Sequence, residues 1–424
     1  MPTDPEASRF NLEFVKAALE DLRPAEEMLA RHPALAGSGL HSALVLGDFE
    51  QVKHALDESP ESTAAKGGPR EWEPLLYVCF SRFAGGGSNR AGYFSEVARL
   101  LLSRGADPNA SYVDERWPDF PLSCLYGATG LNNNPALARV LLEAGARPDD
   151  GESLYHSTEH ADLACVRLLL EYGASTRATN VLKHVLDYEQ LEGLQLLLAA
   201  GANPNKVNQR GETALHWAIS RGRSAKIVAA LLDAGAGVNA KRNDRRTAYA
   251  LAARSGQTET AKLLESRGAS TELPEVDRLI GNCAADPAKS PGTKLPEECN
   301  RFLPEFASSH RTSAVRALLA AGVPTGTLGE SGGTALHWAC WKGYADIAKM
   351  LLDSGASLTI EDTVFHAPPA GWFSHGLKNS LERDGDYPQV ARLLLDAGAA
   401  IAACDMPTGD AAVDAVFREY GLIE

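Results

Sequence analysis

Residues Thr334 to Ser357 read TALHWACWKGYADIAKMLLDSGAS, and this stretch decides the fold. A short apolar segment leads to a glycine, a second segment places apolar residues at i, i+3 and i+4, and the unit ends in Gly-Ala. This pattern predicts two short helices joined by a glycine turn. A unit of this length cannot bury its own apolar face, so we expect its copies to stack on one another.

Two further stretches repeat this unit. Residues Thr213 to Asn239 (TALHWAISRGRSAKIVAALLDAGAGVN) repeat it closely, and Thr247 to Ala269 (TAYALAARSGQTETAKLLESRGA) repeat it more loosely. The signature resembles the ankyrin repeat, whose helix-turn-helix unit opens with the motif T-P-L-H-x-A. The resemblance implies an all-α solenoid of about ten stacked helix-turn-helix units with short β-hairpin connections. It also implies a non-catalytic scaffold that binds a protein partner on its concave face.

The end of each unit carries the most regular mark, a Leu-Leu pair followed by a glycine. The mark recurs at Gly105, Gly145, Gly173, Gly201, Gly235, Gly268, Gly322, Gly355 and Gly398. Successive spacings are 40, 28, 28, 34, 33, 54, 33 and 43 residues, and those near 33 match the ankyrin period. We expect each glycine to end a second helix with a positive φ.

The spacings divide the chain into three parts. Residues 1–36 are predicted to form an N-terminal helical cap, 37–401 the repeat array, and 402–424 a C-terminal capping helix. Insertions interrupt the array near 81–94, 272–298 and 361–388. The first contains three consecutive glycines and is expected to be a flexible surface loop, whereas the third holds APPAGWFSHG, a degenerate copy of the opening motif around Trp372.

Composition narrows the classes of function. A net charge of −14 disfavours nucleic acid as a partner, because binding to phosphates depends on a basic surface. The first residues lack the basic start and apolar run of a signal peptide, and no run of eighteen apolar residues occurs. We therefore expect a cytoplasmic monomer with no membrane partner.

Signatures of catalysis and of metal binding are missing from the sequence. The seven cysteines form no C-x-x-C pair and are expected to be reduced core residues. The motifs G-x-S-x-G, H-E-x-x-H and G-x-x-x-x-G-K-[ST] do not occur. We expect no cofactor, no metal and no enzymatic activity. An enzyme or small-molecule-binding protein stays open as the alternative, with a site built from the insertions around Phe80 to Tyr93 and Trp372 to His375.

Candidate partner-binding residues follow from the repeat spacing. In ankyrin repeats the residues before the motif threonine, and the two before the turn glycine, face the partner. The predicted set is Trp341, Lys342, Arg210, Arg221, Arg245, Arg246, Arg254, Trp72, Phe80 and Trp117. Trp341 is the expected anchor, since tryptophan buries a large rigid area at low entropic cost.

Several residues near this set admit more than one interpretation. Trp217 and Trp338, inside the motif, are expected to be core residues. Trp72 and Trp117 fit either a partner contact or local loop packing. The basic run Lys241 to Arg246 (KRNDRR) fits either a solvated hairpin or a contact with an acidic partner.

Overall fold

A computed structural model of the chain describes residues 5–85, 88–114, 118–177, 180–274, 277–278, 280–281, 295–379, 385–402 and 406–423. The chain divides into two compact units, Met1–Asn203 and Pro204–Glu424. Both are predominantly helical and are built from successive pairs of short helices. The predicted all-α class is confirmed.

The N-terminal unit holds six consecutive helix pairs among its described residues. They are Pro5–Glu20 with Leu22–Arg31, Leu40–Leu46 with Phe49–Glu58, Pro74–Phe80 with Tyr93–Ser103, Cys124–Tyr126 with Pro135–Glu143, Ser153–Ser157 with Ala164–Glu171, and Val181–His184 with Leu191–Ala199. A π-helical turn, Gly127–Leu131, extends Cys124–Tyr126. Strands Ser111–Tyr112 and Leu122–Ser123 pair antiparallel, with Tyr112 opposite Leu122. This short hairpin connects two helix pairs, as predicted.

The C-terminal unit continues the same pattern. Its described pairs are Ala214–Ser220 with Ala225–Asp233, Ala248–Arg254 with Thr258–Ser266, Phe302–Ser308 with Thr312–Ala320, Ala335–Lys342 with Ala345–Asp353, and Pro369–Asn379 with Tyr387–Asp396. A final helix, Ala411–Glu419, occupies the place of the predicted capping helix. Among all the described helices, none is long and apolar enough to cross a membrane.

In the repeat that opens at Thr334, the motif histidine joins its helix to the next hairpin. Thr334 caps the helix Ala335–Lys342, and its N–H donates to Nδ1 of His337 at 3.1 Å. The ring proton is therefore assigned to Nε2, which donates to the carbonyl of Ala367 at 3.0 Å. Burial lowers the pKa of His337, which keeps the ring neutral in this role.

The predicted helix ends are present at all nine marked glycines, whose φ angles lie between 80° and 95°. At Gly355 the glycine N–H donates to Leu352 and the N–H of Ala356 donates to Leu351, at 2.9 Å each. These two bonds satisfy carbonyls that the helix end would otherwise leave unpaired.

Asparagine side chains fix the spacing between neighbouring repeats. Asn205 donates to the carbonyl of Gly235 at 2.9 Å and accepts the N–H of Gly237 at 2.7 Å. Asn109 and Asn239 make the same pair of contacts with the following repeat end. Each asparagine therefore links its hairpin to the glycine turn one repeat later.

The first insertion is more ordered than its glycines suggested. Phe83 and Ala84 are buried, and Ser81 donates to the carbonyl of Val45. The side-chain amides of Asn132 and Asn134 donate to carbonyls of Ser81 and Ala84, respectively. The expectation of a flexible surface loop is wrong for residues 81–84, whereas residues 88–93 are half-buried or exposed and residues 86–87 lie outside the described residues.

The other two insertions differ in how much of them is described. Most of 272–298 lies outside the described residues, although Ile280 there is fully buried. In 361–388 the buried carboxylate of Asp362 accepts the N–H groups of Val364 and Phe365 and the indole N–H of Trp372. This network ties the hairpin to the helix that carries Trp372.

Leu215 and Leu336, the motif leucines, are fully buried. Leu336→Ala should lower the free energy of unfolding by about 2–5 kcal/mol, because it empties a packed site. The loss should extend to neighbouring repeats, which are stabilised by mutual contact. Leu328→Ala, at a position 39% exposed, is the control and should change stability by less than about 0.5 kcal/mol. Urea unfolding measures both; equal midpoints for Leu336→Ala and wild type would contradict the packing described.

Candidate functional site: an aromatic groove

The N-terminal unit contains an open groove with a volume of about 1160 Å³. The aromatic residues that line it come from the hairpins and first helices of successive repeats. We call it the aromatic groove, and its lining rings are Trp72, Phe80, Tyr112, Phe120, Tyr126, Tyr155 and His156. Five carboxylates and one guanidinium also line it: Glu20, Asp114, Asp119, Asp150, Glu152 and Arg70.

Five of the rings contact one another in an unbroken series. Trp72 packs on Tyr112 with a centroid distance of 4.1 Å, and Tyr112 meets Phe80 edge-on at 5.0 Å. Phe80 lies 6.0 Å from Tyr126, whose ring meets His156 edge-on at 5.3 Å. These contacts form a continuous aromatic surface, since most of the pairs adopt the tilted or edge-to-face arrangements that aromatic rings favour.

Local helix geometry explains the position of Tyr126 and Tyr155, the two lining tyrosines that lie on helices. Ser123 caps its helix by accepting the N–H of Tyr126 at 2.9 Å, so Tyr126 is the third helical residue. Glu152 occupies the cap position of the next first helix, and Tyr155 is the third residue of that helix. His337 occupies this position in its own helix. A tyrosine in that place extends a longer side chain, and in these two repeats its ring lines the groove.

Two glycines allow the rings to come together. A Cβ on Gly130 would lie 2.8 Å from both the Tyr126 ring and Cβ of His156. A Cβ on Gly127 would lie 2.8 Å from the carbonyl oxygen of Cys79. Both glycines belong to the π-helical turn, a geometry often found at functional sites.

A network of histidines and carboxylates lies beneath one end of the groove. His156 contacts Glu152 at 3.1 Å and Glu159 at 2.7 Å. Glu159 also contacts His184 at 2.9 Å, and the ring of His184 stacks on Tyr155 at 3.7 Å. The network therefore connects groups inside the repeats to a ring that lines the groove.

The protonation of this network follows from burial and pairing. Burial opposes the charged form of Glu159, but hydrogen bonds from His156 and His184 outweigh it and lower the pKa of Glu159 to about 2. Burial would likewise lower the pKa of His184, but its pairing with Asp187 and Glu159 raises that pKa above its ordinary value of 6.5. Burial raises the pKa of Tyr126 to about 12, so its hydroxyl keeps its proton.

Comparison with protein families identifies the repeats. The model described as ankyrin repeats in three copies matches residues 182–275 and 276–362. The chain belongs to the ankyrin-repeat family. No curated protein matches the chain significantly.

Solved ankyrin repeat domains are similar to parts of the chain. That of human ASB11 is 20% identical and covers 55% of this chain and 99% of its own, with a TM-score of 0.43. One from Acinetobacter baumannii is 30% identical and covers 46% of this chain and 98% of its own, with a TM-score of 0.39. The ankyrin repeat domain of Bcl-3 is 23% identical and covers 54% of this chain and 94% of its own, with a TM-score of 0.27. Bcl-3 is described as a unique member of the IkappaB protein family.

Two residues of the predicted binding set line the aromatic groove. Trp72 is half-buried and lies there beside Phe80, which is only 3% exposed. Phe80 was expected to face a partner freely, but its ring is held between Trp72, Tyr112 and Tyr126. Trp117 lies outside the described residues.

The predicted arginines of this ankyrin-repeat protein fall into two groups. Arg246 and Arg254 were expected on the surface, which is wrong. Arg246 donates to the buried Asp277 at 2.8 Å, and Arg254, 3% exposed, pairs with Glu305 and lies over the ring of Phe302. Both guanidinium groups therefore stabilise contacts within the C-terminal unit.

The remaining arginines are more accessible. Arg210 is exposed and pairs with Glu330 at 3.2 Å, while Arg221 lies 4.7 Å above the ring of Trp217. Arg245 is exposed and has a φ of 65° at the tip of its hairpin. Within the basic run, Arg242 pairs with Glu212 at 3.0 Å. Folding thus neutralises part of a run that looks uniformly basic in the sequence.

Trp341 belongs to an aromatic cluster of the C-terminal unit. Its ring lies 5.2 Å from Trp372 and 4.6 Å from His375, and Tyr387 donates to its carbonyl at 2.7 Å. Trp341 and Lys342 are both half-buried, as are Trp217 and Trp338, the two tryptophans expected in the core. The predicted contrast between an exposed Trp341 and a buried Trp338 is therefore absent.

Sequence reasoning missed most of the groove. Tyr112, Tyr126, Tyr155 and His156 lie in repeats that match the ankyrin motif poorly. A signal was available, because Leu125-Tyr126 and Leu154-Tyr155 take the place of the Leu-His pair of the regular repeats. Alignment by helix caps would have identified both tyrosines.

The charge network predicts a pH dependence of stability. Because the pKa of His184 is raised on folding, its contribution is complete below pH 6.5 and is lost as the pH rises through the raised value. The contribution of Glu159 is complete above pH 4.5 and is lost as the pH falls towards about 2. Thermal midpoints of wild type and His184→Gln should differ most between these limits, near pH 5 to 6.5.

The control for this experiment is His54→Gln. His54 is an exposed histidine 3.6 Å from Glu58, so its replacement should give a small difference at every pH. A wild-type minus His184→Gln difference that does not change between pH 5 and pH 9 would contradict the assigned network.

Proposed function

We propose that this ankyrin-repeat protein is a non-catalytic interaction module that binds an extended segment of a partner protein in the aromatic groove. Ankyrin repeats generally serve as protein–protein interaction modules, which supports the class of function. The continuous line of rings from Trp72 to His156 supports the location and is the observation that carries the proposal. Aromatic side chains are enriched among the residues that dominate binding energy.

The exposure of the groove also fits a partner. Phe120 is 52% exposed at its edge, and Val113, on the same hairpin, is 56% exposed. Trp72, Tyr112 and Tyr126 are half-buried, so they are positioned by the fold and still offer surface. Rings fixed in this way lose little entropy on binding. The face formed by hairpins and first helices is the one that we propose as the concave binding face.

The chemistry of the groove supports binding rather than catalysis. Both nearby imidazoles pair with carboxylates, and no described Ser, Thr or Cys side chain hydrogen-bonds to His156 or His184. The raised pKa of Tyr126 disfavours a phenolate at neutral pH. An activated nucleophile needs a base within hydrogen-bonding reach, and these described residues do not provide that arrangement. We also propose that the protein acts as a cytoplasmic monomer without a nucleic-acid or membrane partner, in keeping with its net charge of −14.

Phe120→Ala should abolish or strongly weaken capture of at least one cellular protein by the full chain. Phe120 offers the most exposed ring of the groove, so truncation should reduce affinity by about tenfold or more. Tyr93→Ala is the matched control, since Tyr93 is 57% exposed in the same unit but does not line the groove. Affinity capture from the source cell with quantitative mass spectrometry compares both variants with wild type. Identical profiles for wild type and Phe120→Ala would count against the groove.

Trp341 remains our proposal for a second contact, in the C-terminal unit. Trp341→Ala should weaken binding of the captured partner by at least about tenfold. It should also lower folding stability by about 1–2 kcal/mol, because the ring packs on Trp372 and His375. Titration calorimetry, with circular dichroism to verify folding, measures both effects. A folded variant with wild-type affinity would exclude Trp341 as an anchor.

A further inference from the structure

One end of the aromatic groove combines tyrosine rings with excess negative charge. Tyr126 and Tyr155 line it together with Glu152 and His156. His184 stacks on one face of Tyr155 with an interplanar angle of 10°, and the half-buried ring lines the groove with its remaining surface. We call this end the tyrosine subsite.

Carboxylates outnumber imidazoles at this end of the groove. Four carboxylates, Asp150, Glu152, Glu159 and Asp187, lie in or under the subsite. The imidazoles that contact them are His156 and His184, so these six groups together keep a formal charge of −2 even with both rings protonated. A cationic side chain is the partner group that complements it.

Hydrogen-bonding groups are also available there. One oxygen of Glu152 contacts His156 at 3.1 Å, and its other oxygen has no partner among the described residues. The hydroxyl groups of Tyr126 and Tyr155 likewise have no described protein partner. Asp150 differs, because its two oxygens already accept from Ser123 and from the backbone and side chain of Ser153. Glu152 is therefore the carboxylate best placed to bind a ligand.

We propose that the tyrosine subsite binds an arginine side chain of the partner segment, stacked on Tyr155 and Tyr126 and paired with Glu152. This inference rests on the proposed function of the groove. A guanidinium group fits both parts of the subsite, since its plane stacks on aromatic rings while its edge donates several hydrogen bonds. An ammonium group is a more strongly hydrated point charge and lacks the flat face. The remaining lining, from Tyr126 back to Trp72, would accommodate apolar residues of the same segment.

The protein's own arginine does not occupy this end. Arg70 is the guanidinium among the described lining residues, and it pairs with Glu20 at 2.5 Å. Glu20 belongs to an earlier helix pair and Arg70 to the turn that leads into the helix of Phe80, whereas the subsite belongs to the repeats that follow. The charge of Arg82 also reaches Tyr126, but its guanidinium donates to the carbonyl of Leu131 at 3.4 Å. An incoming arginine would therefore meet carboxylates with which neither Arg70 nor Arg82 pairs.

Selection of random twelve-residue peptides displayed on phage tests the inference on the full chain. Peptides that bind wild type but not Phe120→Ala are sequenced as groove-dependent binders. We expect them to share an arginine at one position beside apolar residues. Groove-dependent peptides without a common arginine would overturn the arginine subsite and leave the interaction groove standing. A selection that yields no groove-dependent peptide would overturn both.

A second measurement changes the arginine of the best synthetic peptide and compares the effect on wild type with the effect on two protein variants. Replacing its arginine with citrulline keeps the shape but removes the charge, and should weaken binding to wild type by at least about tenfold. The same replacement should have a much smaller effect on Glu152→Gln. Glu143→Gln, an exposed position on a second helix of the same unit, is the charge-matched control and should retain the full citrulline effect. Equal citrulline effects on wild type and Glu152→Gln would overturn the assignment to this subsite.

Discussion

The repeat that opens at Thr334 depends on a buried neutral imidazole. His337 accepts the N–H of its own helix cap and donates to the hairpin carbonyl of Ala367, thirty residues later. One side chain thus satisfies a helix terminus and fixes the neighbouring repeat, and burial keeps it uncharged in that role. Leucine burial and glycine turns add stability, and the imidazole adds a direct hydrogen bond between this repeat and the next. A charged or shorter side chain at this position would leave buried backbone groups unpaired, which costs more than one hydrogen bond gains.

The N-terminal unit shows what happens where that imidazole is absent. Tyrosines 126 and 155 stand in its place, and other contacts connect the repeats: amides from Asn132 and Asn134, and close packing at Gly127 and Gly130. In these two repeats the third helical residue no longer joins one repeat to the next, and its ring lines the aromatic groove. Departure from the repeat motif therefore marks the surface on which a function can develop, while close agreement with the motif marks the scaffold.

The sequence predicted the helix pairs, their glycine ends and the hairpins, because each depends on residues within one unit. Residues such as Leu336 and Gly355 encode burial and a turn almost independently of the rest of the chain. The aromatic groove could not be predicted in the same way, since Trp72, Tyr112, Tyr126 and Tyr155 come from hairpins and helices of different repeats. Their proximity depends on the stacking and on one π-helical turn, which a repeat pattern does not specify. Burial of Phe80 and the partly buried state of Trp341 have the same origin, because their ring neighbours lie in other repeats.

The charged residues show most clearly the difference between what one repeat encodes and what the stacking of several repeats produces. In the sequence, the run Lys241 to Arg246 fits either a solvated hairpin or a contact with an acidic partner. In the structure, Arg246 binds Asp277 and Arg242 binds Glu212 from the preceding hairpin. Folding brings carboxylates to these arginines because a buried guanidinium without a partner is strongly destabilising. Around Tyr126 and Tyr155 the sequence shows no concentrated run of acidic residues. Stacking of the repeats nevertheless brings together more carboxylates than the nearby imidazoles can neutralise. A partner can therefore pair only with charge that folding leaves unbalanced. In this protein the clearest such charge is negative and lies beside the half-buried rings of Tyr126 and Tyr155.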